Sequence, residues 1–184
     1  MLPVRIIAFA VMYITITAFQ TNNYVSPTPE ELKLYSLINQ YRLKNHLPSI
    51  PLSPKLMKVA HAHCRDLYCC YDESNTACNP HSWSGNGNWT KVCYTEDHAE
   101  AEKMWSKPAE IAGYESSGYE IVHSHDPKDD ACNAVCALNG WKSSPGHNSV
   151  IMNKGMWKNL KWKAIGVGIY KGFACVWFGN LEDK

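Results

Sequence analysis

Residues 140–150, GWKSSPGHNSV, hold one histidine, His147, behind a Pro-Gly pair and two serines, Ser143 and Ser144. An imidazole in that setting has three uses: a base that takes a proton from a serine, a ligand for a metal ion, or a hydrogen-bonded packing element. Other histidines sit in comparable contexts. His81 lies in CNPHSWS beside Ser82 and Trp83, His61 and His63 in AHAH, and His123 and His125 in HSHD ahead of Asp126. HSHD reads as a polar, solvated loop, with a metal nook as its alternative. Hydrolysis needs more than a serine adjacent to a histidine: a base within hydrogen-bond reach, an orienting acid and an oxyanion hole. No G-x-S-x-G elbow is present, and a cysteine nucleophile is a poor choice if every cysteine is paired. Binding is therefore the leading reading and a hydrolase, esterase or protease, the alternative.

The elements that must position these residues are legible in part. SPTPEELKLYSLINQYRLKNHLP opens with Thr28 as cap, Pro29 at the first helical position and Glu31 completing a capping box. Leu32, Tyr35, Ile38, Asn39 and Arg42 share one stripe, and the helix should end near His46, before Pro48. In LSPKLMKVAHAHCRDL, Ser53 caps and Pro54 starts a second helix, with Leu56, Val59, Ala60, His63 and Leu67 on one face. His63 therefore points with the apolar face as a hydrogen-bonded core histidine, and His61, two residues earlier, points elsewhere. Residues 69–90 read as a long loop held by sulfur. TEDHAEAEKMW reads as a helix capped by Thr95 and ended by Pro108, and AGYESSGYEIVHSHDPKDD as an irregular segment. ACNAVCALNGW reads as a short helix closed by Gly140 and Pro145. The tail, WKAIGVGIYKGFACVWFGN, is a hairpin turning at Lys171-Gly172. Helices first and strands last, without βαβ alternation, give an α+β fold with an antiparallel sheet.

The bulk numbers narrow the function classes. The 184 residues suit one domain, and 18 basic against 17 acidic side chains leave a net charge of +1, too little field to attract a polyanion. Nucleic acid is not an expected partner. MLPVRIIAFAVMYITITAFQ, with the single cation Arg5 ahead of an uncharged stretch, reads as a signal peptide over residues 1–20, too short to span a bilayer. No membrane span is expected after its removal, and the protein is expected to be secreted. The eight cysteines then imply four disulfides, with about a hundred pairings open. A zinc site at Cys132-x3-Cys136 or Cys69-Cys70 is the weaker reading in an oxidising compartment. Asn88-Trp89-Thr90 is an acceptor for N-glycosylation in a eukaryotic host, hence a glycoprotein reading. Seven tryptophans and ten tyrosines could line an apolar groove. Trp162 and Trp177 fit sheet burial, whereas Trp83 and Trp89, in the loop beside His81, are the better ligand contacts.

LINQYR and LMKVAHAH, HSW at 81–83, GYEIV at 118–122 and SPGHNSVIMN…WKAIGVGIY…ACVWFGN at 144–180 stand in an order that resembles the CAP superfamily of cysteine-rich secretory, antigen 5 and pathogenesis-related 1 proteins. The match covers roughly residues 30–180, so one SCP-like domain is expected over residues 28–182. The resemblance implies a secreted, disulfide-stapled, three-layer α-β-α sandwich around a central antiparallel sheet. It also implies a cleft of two histidines and two glutamates, which here correspond to His81, Glu120 and His147. The fourth position departs, since Trp141 is followed three residues on by Ser144 rather than glutamate, as in the SPGH version familiar among bacterial-type members. The ligand cleft is accordingly read as His81, Glu120, Ser144, His147 and Trp83. His81, His147 and Glu120 would hold a weakly bound divalent cation such as zinc. Partners implied by the resemblance are a sterol or fatty acid, or a protein or cell-surface target.

Overall fold

The computed structural model describes residues 26–72, 74–75, 77–126 and 133–184. The expected signal peptide at residues 1–20 and Cys132 lie outside these. Helix α1, Pro29–Lys44, starts as its sequence dictates: the Thr28 hydroxyl accepts from the Glu31 N–H while the Glu31 carboxylate accepts from the Thr28 N–H. Its buried face is Glu31, Leu34, Ile38, Asn39 and Arg42, and Leu32, expected on that face, is exposed. The charged ends of the face are satisfied across element boundaries. Arg42 reaches the carbonyls of Pro48 and Ile151 and the Asn153 side chain, and Glu31 pairs with His61 at 2.8 Å and accepts from the Ile169 N–H.

Helix α2, Pro54–Cys70, is capped by Ser53 and buries Leu56, Val59, Ala60, His63 and Leu67 as its periodicity predicts. Two short helices follow, α3 (Ala101–Trp105) and α4 (Lys107–Ala112). Two expectations fail here. Residues 95–100 form turns, and Pro108 stands in the first turn of α4, a position that needs no N–H, so it opens a helix rather than closing one. The segment read as irregular contains strand β1, Gly118–Ser124, and Pro145-Gly146 begins a helix, α6 (Pro145–Ile151), directly after α5 (Ala134–Ser143). Strands β2 (Ala164–Tyr170) and β3 (Phe173–Gly179) form the hairpin, with Lys171 at φ 48° and Gly172 at φ 88°.

The sheet order is β1-β3-β2, antiparallel throughout, with Glu120 opposite Trp177 and Val122 opposite Cys175. Period-two alternation sends side chains to opposite faces. Ile121, Ala174, Val176 and Phe178 pack with Leu34, Ile38, Leu138, Trp141 and Ile151 of α1, α5 and α6, while Val122, Cys175 and Trp177 pack with Leu56, Val59, Ala60 and Leu67 of α2. The three layers are thus α, β and α. On the α2 side the layers touch backbone to backbone: a Cβ at Gly166 would fall 2.1 Å from the Leu56 carbonyl carbon, and one at Gly168 2.6 Å from that of Ala60.

Cys69–Cys70 and Cys78–Cys93 are bonded. The expectation that all eight cysteines pair fails at Cys64 and Cys175, which are buried thiols on facing α2 and β3. Burial, and then the neighbouring Cys64 thiol, push the Cys175 thiol well above its usual range.

Candidate functional site

Each cleft residue is held by a different element. Glu120 comes from the edge strand β1, on the face that meets α2. His63 comes up from α2 to meet it, its Nδ1 2.5 Å from Glu120 Oε1 and its Nε2 2.9 Å from the Ser82 carbonyl. A carbonyl only accepts, so Nε2 carries the hydrogen, and the contact between Nδ1 and the carboxylate requires one further proton shared by the pair. The His63 ring is stacked on Trp83 at 4.1 Å between centroids. Trp83, expected to contact ligand, is instead 1 % exposed and serves as the floor under His63. Trp89 packs edge-on against it and donates to the Ser84 carbonyl.

His81 rides on the sulfur-held loop. The Cys78–Cys93 bond closes that loop, Trp83 and Val92 exchange backbone hydrogen bonds, and the Asn79 side chain accepts from the His81 N–H at 3.0 Å. This frame sets His81 Nδ1 3.0 Å from Glu120 Oε2. An acceptor-only carboxylate makes Nδ1 the donor, so Nε2 is the nitrogen turned away from Glu120. His147 arrives from the first turn of α6, where Pro145 occupies the position that tolerates it, and its ring centre lies 6.3 Å from that of His81.

The electrostatics follow from burial. Desolvation acts to raise the Glu120 carboxyl, but the two imidazoles facing it outweigh that and hold it below the ordinary carboxylate range. Desolvation and the nearby His81 push the His147 imidazole down to about 4, so it is neutral at physiological pH. Both Glu120 oxygens are engaged by histidines and its side chain is fully buried. It therefore orients His63 and His81, and the remaining nitrogens of His81 and His147 are the groups left to meet a ligand.

The three polar residues line a groove of about 660 Å³ together with Met104, Trp105, Tyr119, Met156 and Trp157. Trp105 and Trp157 flank Tyr119 with ring centres 5.5 and 4.9 Å away, an aromatic wall that sequence reasoning missed. Its signal was weak, because nothing local marks a tryptophan of a short helix as a groove residue. Ser144, expected in the cleft, is the residue that precedes α6, and Ser149, two residues beyond His147, lines the groove instead. The Ser82 hydroxyl accepts from the Tyr94 N–H at 2.8 Å, a loop-bracing role.

No protein-family model matches the chain, and no curated protein resembles it in sequence. Solved structures do resemble it in fold. An extracellular protein containing an SCP domain from Bacillus anthracis superposes with a TM-score of 0.56 at 19 % identity, over 85 % of this chain and 45 % of that one. An outer surface protein from Borrelia burgdorferi gives 0.50 at 20 % identity, over 86 % of this chain and 97 % of the other. A cysteine-rich secretory protein from Staphylococcus aureus gives 0.49 at 15 % identity, over 83 % of this chain and 38 % of that one. The chain thus spans less than half the length of the Bacillus and Staphylococcus proteins. What the Bacillus and Borrelia proteins share with it is the fold.

Proposed function

We propose that this chain, which has the fold of an SCP (CAP) domain, is an extracellular binding protein whose groove takes an amphipathic, lipid-like ligand. The observation that supports it most is the groove itself: aromatic and methionine walls of about 660 Å³ share one depression with the imidazoles of His81 and His147. Apolar walls favour an acyl chain or sterol ring system, and the imidazole nitrogens of His81 and His147 supply hydrogen-bonding partners for a carboxyl or hydroxyl head. The extracellular reading draws on the fold relatives, described as an extracellular protein and an outer surface protein, and among the described residues no helix is long and apolar enough to cross a membrane.

Delipidated protein should bind palmitate or cholesterol in a fluorescence displacement assay, and Trp157→Ala should weaken that binding at least about tenfold by removing one aromatic wall. Retention of neither lipid by the wild type refutes the reading.

One observation favours a second ligand at the same place. Glu120 orienting His81 is the carboxylate–imidazole arrangement that prepares a metal-ligating nitrogen, and His147 opposite is neutral. A divalent cation such as zinc would have His81 and His147 as its protein ligands, with Glu120 orienting His81. Calorimetric titration with zinc should then differ between wild type and His81→Gln/His147→Gln, and identical isotherms dispose of it.

A further inference from the structure

His123 and His125 lie outside this groove. The structure removes them from the solvated loop that HSHD suggested. His123 is the penultimate residue of β1, and the His125 N–H still donates to the Gly172 carbonyl at 2.9 Å, one residue past the strand. Residues two apart on extended chain point to the same side. That side is opposite to Glu120: His123 is registered with Ala174, which packs in the layer of α1 and α5. The His123 ring meets Trp141 edge-on at 6.3 Å, and Gly140 of α5 gives it room, since a Cβ there would stand 3.0 Å from His123 Nδ1.

Two ring nitrogens in this pair, His123 Nε2 and His125 Nδ1, are closed off from solvent and have no hydrogen-bond partner among the described residues. A buried polar nitrogen left unmatched is costly, so two side by side on one strand face call for something that binds both. The ring centres are 6.0 Å apart and the planes 28° from parallel. A ring whose nitrogen sits about 2.1 Å from an ion keeps its own centre about 3 Å from it, so two rings on one ion have centres roughly 5–6.5 Å apart.

We propose that His123 Nε2 and His125 Nδ1 ligate a divalent transition-metal ion of the zinc or copper kind, on the edge strand and separate from the His81–His147 groove. Imidazole donors select this class of ion over calcium or magnesium, which take oxygen ligands. Two protein ligands hold it less tightly than a closed four-ligand site does.

Calorimetric titration of chelator-treated, folded protein with zinc tests this, using His81→Gln/His147→Gln to silence the groove. That variant should still bind zinc, and adding His123→Gln and His125→Gln should abolish the remaining heat. Copper(II) bound to the groove variant should show hyperfine coupling to imidazole nitrogen in its electron paramagnetic resonance spectrum. His125→Gln alone, just beyond the strand, guards against misfolding: it should weaken zinc at least about tenfold with an unchanged circular dichroism spectrum. Zinc affinity unaltered by His125→Gln, or a groove variant that takes up no metal, overturns the proposal and leaves trapped water as the partner of the two nitrogens. Failure of the lipid assay, by contrast, touches only the groove.

Discussion

At the scale of single residues, the cleft is organised by a carboxylate that is satisfied from both sides. Glu120 and His63 are fully buried as side chains, and each has the other as its ionic partner. Removing one member of such a pair leaves the other desolvated and uncompensated, so Glu120→Gln should cost about 3–5 kcal/mol in urea unfolding. His147 supplies a pH signature. Its folded-state value near 4 lies below its ordinary 6.5, so the unfolded chain takes up a proton that the folded one refuses as pH falls between those values. Stability is therefore complete above about pH 6.5 and declines toward pH 4. In urea midpoints measured across this window, His147→Gln should flatten the decline. His147 and its flanking motif were visible in the sequence. That Glu120 serves His63 as well as His81 was not, because the His63 periodicity tells which face it joins but not which residue of a distant strand faces it.

At the scale of elements, the helix–sheet contact is set by two glycines. Gly166→Ala or Gly168→Ala drives a methyl into the backbone of α2, where no side chain can yield, and should cost about 3 kcal/mol or more or prevent folding. Gly146→Ala is the control: no atom lies within 4 Å of its Cβ and its backbone needs no left-handed conformation, so thermal melting should be unchanged or slightly raised. The caps of α1 and α2 and the hairpin turn were legible because the signal is local: a hydroxyl beside its own N–H groups, or a glycine where φ is positive. Strand β1 was hidden. It is an edge strand with polar Glu120, His123 and Ser124 among its residues, and only its pairing with β3, more than fifty residues later, defines it. Pro145 misled in the same way, since proline suits a helix start as well as a stop.

At the scale of the whole molecule, sulfur and layer packing divide the work. The Cys78–Cys93 bond spans a sequence separation of 15 and frames the loop that carries His81. Replacing both cysteines by alanine should cost about 3 kcal/mol in chemical unfolding and weaken ligand binding at the groove. Cys64 and Cys175, as buried thiols between α2 and β3, should resist alkylation in the native protein and react after denaturation, which peptide mass spectrometry reads directly. By itself the sequence determined the α+β class, both long helices, the closing hairpin and, through resemblance, the trio of His81, Glu120 and His147. The class, the helices and the hairpin rest on short-range periodicity, caps and turn chemistry, which a chain carries wherever it folds, whereas the trio came only from the order of family motifs. Only the tertiary structure decided that Trp83 is a buried floor, that Trp105 and Trp157 wall the groove, that two cysteines stay unbonded, and that His123 and His125 face inward with unmatched nitrogens. Each of those depends on which surfaces meet across the three layers, and that contact energy is not written in any local stretch of residues.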